Sequence, residues 1–141
     1  MRVRPSDSTA GILPFALLVC AFFFSFFYRI SAAVVLPQLA TEWSMSATLT
    51  GLISSLYFYS YALMQPLSGV LNDRHGPLFI GSVGLVVTAG GALCFAFAQV
   101  PATIVVGRLL TGLGLSSFLS GAVAYQNATF PPEKYAFYSG L

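Results

Sequence analysis

The sequence predicts an all-α integral membrane protein of about four transmembrane helices plus the start of a fifth. Three observations lead there. Only 7% of the 141 residues are Asp, Glu, Lys or Arg, against about a quarter in soluble domains. The six basic and four acidic residues gather mostly in short segments, leaving four uncharged or nearly uncharged runs. Each run exceeds the roughly 18 residues that mark a transmembrane candidate. So few charges cannot cover a water-soluble surface, which removes cytosolic enzymes and secreted domains. Disorder needs low hydrophobicity and high charge, whereas 57% of these residues are hydrophobic. A formal net charge of +2 is too small for a nucleic-acid footprint.

The first span is expected at 12–36, ended by Pro37 with Glu42 and Trp43. It is longer than the apolar core of a signal peptide and continues past Arg29, so it reads as a permanent anchor. The second span is expected at 47–71, with Ser46 placed to cap it. The segment Asn72-Asp73-Arg74-His75-Gly76-Pro77 separates it from the third, at 78–98. Pro77 suits a first helical turn, where a missing N–H removes no hydrogen bond. Gln99-Val100-Pro101 precedes the fourth span, at 103–128, which Pro131-Pro132-Glu133-Lys134 closes. A possible fifth begins near Ala136, and no soluble domain is expected. An open sheet would leave unpaired backbone groups in hydrocarbon, and no alternating ten-residue strands suggest a barrel.

Orientation follows from basic residues in the loops. With a cytoplasmic N-terminus, Arg2, Arg4, Arg74 and Lys134 all face the cytoplasm, and the opposite loops hold no Lys or Arg. The expected location is the plasma membrane, or the inner membrane if the source is bacterial.

Two arginines lie inside spans. Arg29 sits eight residues before Pro37 and Arg108 seven after Pro101, which places both roughly 10–12 Å below the outer boundary at about 1.5 Å per residue. A guanidinium near the bilayer centre costs about 2.5–3.5 kcal/mol on insertion scales and so faces a wet cavity or a partner. No Asp or Glu falls in any of the four spans. Either the arginines attract an anion to a common cavity, or Arg29 snorkels and Arg108 bonds backbone carbonyls. In the second span Ser54, Tyr57, Tyr61, Gln65 and Ser68 recur every three or four residues on one face. That face either lines a water-filled path or hydrogen-bonds a neighbouring helix. Arg108, Gly112, Ser116 and Ser120 repeat at intervals of four. With Gly114, and with Gly84, Thr88, Gly90 and Gly91 in the third span, they suggest tight helix packing. Catalytic residues, metal ligands and cofactors are not expected. His75 reads as a solvated loop residue, and Cys20 and Cys94 as small apolar ones.

Between the second and third spans, Gly69-Val70-Leu71-Asn72-Asp73-Arg74-His75-Gly76 resembles the Gly-x-Leu-x-Asp-Arg-x-Gly signature of the major facilitator superfamily. Pro77 and Leu78 stand where that signature continues with Arg-Lys. Arg108, Gly112 and Gly114 are similar to the family's Arg-x-x-x-Gly-x-Gly pattern in its fourth helix. Tyr28-Arg29 and Phe130-Pro131-Pro132 resemble the sugar-phosphate and organic-anion permease branch.

The resemblance implies a permease that moves a small solute, expected to be anionic, by alternating access. Arg29 and Arg108, with Tyr57, Tyr61 and Gln65, are the expected substrate-binding residues. Gly69, Asp73, Arg74 and Gly76 would form the cytoplasmic gate motif, and Gly112 and Gly114 the fourth-helix motif. Organic-anion relatives often carry acids where Tyr28 and Leu115 stand here. Facilitated diffusion, exchange, or coupling through residues elsewhere are therefore the expected modes. Family members have about twelve helices in two halves, so the expected partners are the lipid bilayer, the solute and the missing C-terminal helices of the same permease. Nucleic acid is not an expected partner. The alternative is a truncated or small nonenzymatic membrane protein that assembles with other helices and does not transport alone.

Overall fold

The computed structural model describes residues 8–129, with side chains from residue 12 onward. Four helices follow in order: α1 (Ser8–Glu42), α2 (Ala47–His75), α3 (Pro77–Ala96) and α4 (Pro101–Thr129). Among the described residues there is no strand. The fifth span expected from Ala136 lies outside them, as do Arg2, Arg4 and Lys134.

Three helical stretches, Ile12–Glu42, Pro77–Ala96 and Pro101–Thr129, are long and apolar enough to cross a membrane. At 29 residues α2 has the length, about 43 Å at 1.5 Å per residue. Its serines, Gln65, and the charged residues of its last turn make it the more polar helix.

Pro37 does not end α1, contrary to expectation; the helix runs through both Pro14 and Pro37 to Glu42. A proline removes one intrahelical N–H bond, and about a turn and a half from the C-terminus this loss is local. The true stop is a reversal in which Ser44 adopts φ 50°. Met45 N–H donates back to Ala40 O at 2.9 Å, and Ser44 N–H reaches toward Thr41 O at 3.5 Å. This is the Schellman pattern of a helix end, with serine in the position that glycine usually takes. Met45, Trp43 and Leu39 pack against the buried cluster of Ala32, Leu36, Ile53 and Ile104.

Ser46 caps α2 as expected, its Oγ accepting from Leu49 N–H at 3.2 Å. The expected loop 72–77 is almost entirely helical. α2 continues through Asn72, Asp73, Arg74 and His75, and only Gly76, at φ 90°, breaks the path before Pro77 opens α3. Charges had suggested a loop, but a helix that leaves hydrocarbon can carry its charges in its last turn. Cations there also suit the negative end of the helix dipole.

The central helix is α4. It packs along both α3 and α2 and also touches α1, which is the least enclosed. The contact with α3 is backbone against backbone. A Cβ on Gly107 would lie 2.8 Å from Gly91 O, and one on Gly114 only 2.5 Å from Gly84 O. Small residues there permit the approach that dispersion needs between helices in lipid. Gly90, grouped with them by sequence, faces open space and plays no part. On the other side, a polar seam fastens α2 to α4. Ser68 Oγ and Ser116 Oγ are 3.0 Å apart, and Asn72 Nδ2 donates to Ser117 O at 3.3 Å and Ser120 Oγ at 2.9 Å.

Two apolar clusters occupy the interior. One gathers Phe15, Leu18, Tyr57, Tyr61, Leu115, Phe118 and Ala122; the other Ala32, Leu36, Ile53 and Ile104. Along α1, α2 and α4 the residues separating these clusters include Tyr28, Arg29, Ser54 and Arg108. The two arginine candidates lie in this layer, with Tyr57 and Tyr61 in the first cluster beside it.

Candidate functional site

Arg108 is 3% exposed. Its Nη1 donates to Tyr28 O at 3.1 Å and its Nη2 to Ser54 O at 3.0 Å. One α4 side chain therefore bridges the backbones of α1 and α2. Its Cζ also lies 5.0 Å from the centre of the Tyr57 ring. Charge-assisted hydrogen bonds and a desolvated cation–π contact supply what a carboxylate would otherwise provide.

Arg29 is half-buried on α1, and rings surround it. Its Cζ lies 5.3 Å from the centroid of Phe26, 5.9 Å from Tyr57, 5.4 Å from Phe58 and 5.3 Å from Tyr61. Its Nε is buried without a hydrogen-bond partner. The acids among the described residues, Glu42 and Asp73, are exposed at helix ends, so this cation has aromatic faces and no carboxylate for compensation.

Tyr57 joins the two arginines. It is fully buried, its hydroxyl donates to Ser25 O at 3.3 Å, and its ring stacks on Tyr61 at 5.9 Å. Gly112, one turn beyond Arg108, lets α4 reach this part of α2. A Cβ there would lie 2.6 Å from Tyr57 O and would collide with Ser60 Oγ. The hydroxyls of Tyr61 and Ser25 are buried with no partner. Orphaned polar atoms in an interior call for an explanation; these two lie near Arg29, Arg108 Nε shares the lack of a partner, and Asn72 Oδ1 is a further case away from the arginines.

The structure thus brings Arg29, Arg108, Tyr57 and Tyr61 together, with Gln65 half-buried one helical turn beyond Tyr61. It divides the α2 polar stripe. Ser68 meets Ser116 and Tyr57 bonds to α1, whereas the Ser54 hydroxyl turns back to Thr50 O within α2. Of the gate motif, Asp73 and Arg74 are exposed on the last turn of α2, Gly69 is half-buried, and Gly76 forms the break. Gly112 and Gly114 are both at close backbone approaches. Sequence reasoning missed Phe26, Phe58 and Ser25. Phe26 was within reach, since it precedes Arg29 by three residues and shares its face; Phe58 lies off the polar stripe and carries no signal.

A separate groove of about 470 Å³ opens between α1, α3 and α4, lined by Cys20, Phe24, Leu85, Leu115 and other mostly apolar residues. It does not include either arginine.

The chain is similar in sequence to several transporters. An uncharacterized transporter, YybO, of Bacillus subtilis (strain 168) is 30% identical over 117 residues, covering 83% of this chain and 27% of that protein. A hexuronate transporter of the same organism is 31% identical over 115 residues, with 80% and 27% covered. A probable hexose phosphate transport protein of Chlamydia pneumoniae is 27% identical over 99 residues, with 70% and 21% covered. The chain spans about a quarter of the length of these curated relatives. No solved structure matches it. Residues 17–141 match the family model of the Major Facilitator Superfamily. The chain, a multi-pass membrane segment by its apolar helices, belongs to that superfamily.

Proposed function

We propose that this chain is the N-terminal part of a permease that carries a small anionic solute across the membrane, with Arg29 receiving the anionic group. The carrying observation is the contrast between the two arginines. Arg108 has both terminal nitrogens engaged by carbonyls, whereas Arg29 donates to no carbonyl or carboxylate among the described residues. A guanidinium held at this depth against a cost of about 2.5–3.5 kcal/mol marks a functional site. The hexuronate and hexose phosphate named for two relatives are both anions, which supports the same reading.

In this proposal four helices cross the bilayer with the N-terminus cytoplasmic, and α2 shields its polar face against α4 and α1. The solute is carried by alternating access, with helices beyond this chain completing the cavity opposite Arg29. Asp73, Arg74 and the Gly76 break stand at the cytoplasmic end, where they serve as one side of the gate. Tyr57 and Tyr61 hold the Arg29 guanidinium, and Gln65 extends the binding face toward the gate.

Uptake of a panel of labelled organic anions into proteoliposomes tests this in the intact transporter, comparing wild type with Arg29→Ala and Arg29→Lys. Arg29→Ala is expected to abolish saturable anion uptake, and Arg29→Lys to retain it with weaker affinity because the planar fork is lost. Anion affinity unchanged in both variants would overturn the binding role.

A further inference from the structure

Asn72 is a buried polar side chain outside both the apolar clusters and the arginine layer. It lies in the last turn of α2 and is 1% exposed, while the next two residues, Asp73 and Arg74, are exposed. Its Nδ2 donates to Ser117 O at 3.3 Å and to Ser120 Oγ at 2.9 Å, and the Ser120 hydroxyl in turn donates to Ser117 O at 3.3 Å. A carbonyl can only accept, so the amide nitrogen must face α4. Oδ1 is then left buried with no partner. Stability alone does not call for this residue. An apolar side chain of similar shape would lose two modest hydrogen bonds and would also remove the penalty of the unpaired oxygen, an exchange that can be close to neutral.

We infer that Asn72 is a positioning residue for the proposed gate: its carboxamide fixes the rotation of the last α2 turn on α4, and thereby the direction in which Asp73 and Arg74 leave the bundle. The inference rests on the permease reading above, in which those two residues form one side of the gate. Successive helical side chains stand about 100° apart. Asn72 held inward therefore sends Asp73 and Arg74 outward, and a rotation by one residue would carry Asp73 into the buried seam. Little else sets this rotation. Pro66 interrupts the bonding of α2 less than two turns earlier. A Cβ on Gly69 or Gly76 would meet nothing within 4 Å, so neither glycine is wedged against a neighbour. The Ser68–Ser116 contact joins two hydroxyls, either of which can donate, and Ser116 also bonds Leu113 O within α4, so that contact tolerates rotation. A planar amide donating to two acceptors on α4 does not, because both bonds weaken steeply as they bend.

The test uses the intact transporter in proteoliposomes and has two readouts. The first needs no substrate. With native cysteines replaced, spin labels at Val70→Cys on α2 and Phe97→Cys at the end of α3, both exposed positions, report the distance between them by pulsed electron spin resonance. An otherwise wild-type protein is expected to give one narrow distance, and Asn72→Leu a broadened or shifted one at an unchanged melting temperature. The second readout is uptake of labelled glucuronate and glucose 6-phosphate. Asn72→Leu should lower the maximal rate by up to about tenfold, two interhelical hydrogen bonds at about threefold each, and leave KM at the wild-type value because Arg29 lies in another layer. Ser120→Ala withdraws one acceptor and should lower the rate by about threefold. Added to Asn72→Leu it should lower it no further, since the two residues share one contact. An unchanged distance in Asn72→Leu would overturn the positioning role, whatever the protein carries. A broadened distance with an unchanged maximal rate, or a raised KM with the rate retained, would overturn the link to the gate. No saturable uptake of either probe by the wild type would count against the anion-permease reading, while the distance measurement would still decide the role of Asn72.

Discussion

Replacing Gly114 with alanine puts the α3–α4 contact to a quantitative test. The new Cβ would stand 2.5 Å from Gly84 O and 2.8 Å from Thr88 N, and would run into the Thr88 hydroxyl. Two of those obstacles are backbone atoms of α3, so no rotamer change relieves them. Ordinary contact for a Cβ begins near 3.4 Å, which requires α3 to retreat by about 0.9 Å. A gap of about 0.5–1 Å forfeits a quarter to a half of the dispersion energy at each contact it opens. The retreat also loosens Gly91 against Gly107 on the same interface. Overpacking of this kind costs about 1–3 kcal/mol. Gly90→Ala is the control, since its Cβ meets nothing within 4 Å. Both substitutions gain the same helix propensity, about 0.8–1 kcal/mol, so that contribution cancels in the comparison. Circular dichroism melts of the two purified variants in one detergent should therefore place Gly114→Ala at least about 1 kcal/mol below Gly90→Ala. Equal melting, or Gly114→Ala the more stable of the two, would refute close packing of α3 on α4.

Two further substitutions address the other joints of the bundle. Arg108→Lys keeps the charge but cannot reach Tyr28 O and Ser54 O together, so it should lose about 1.5–3 kcal/mol, one charge-assisted hydrogen bond. Its melting temperature, compared with that of Arg29→Lys, reports this, and the Arg108 variant should be the less stable. Ser44→Gly should stabilise the α1 terminus by up to about 1 kcal/mol, because φ 50° is strained for serine and relaxed for glycine. A thermal melt of that variant at or below wild type would contradict the assigned turn.

How much of this was legible in the sequence depended on what each signal reports. Runs free of charge located the helices, because excluding charge from hydrocarbon is a property of the solvent and needs no knowledge of neighbours. Helix ends were less legible. Asp73 and Arg74 looked like loop residues, yet a helix can emerge from hydrocarbon and carry charge, and the break waited for Gly76. Pro37 looked like a stop, yet the loss of one hydrogen bond near the end of a 35-residue helix does not outweigh the remaining ladder. Gly84, Gly91 and Gly114 announced close packing while Gly90 did not belong, since consecutive residues such as Gly90 and Gly91 point in different directions around a helix and cannot both face one partner. The two arginines were the least separable. Each is a cation at a similar depth in an apolar run, and only the position of the Tyr28 and Ser54 carbonyls distinguishes the arginine that bridges backbones from the one held among rings.

That distinction links the packing of the bundle to its proposed activity. Tyr57 receives Arg108 on its ring, contacts Arg29, bonds to Ser25 on α1 and abuts α4 at Gly112. Displacing α4 from α2 would therefore shift the ring against which Arg29 rests. Arg108 resists that displacement by holding carbonyls of α1 and α2 at once, and the Ser68–Ser116 and Asn72–Ser117 contacts resist it nearer the Gly76 break. An anion bound at Arg29 in the proposed permease would then act on α1, α2 and α4 as one body and not on a single flexible side chain. Alternating access requires that kind of response, because a half that yields locally cannot transmit binding to its far end. Arg108 serves transport in this proposal without touching the solute: it keeps the surroundings of Arg29 rigid.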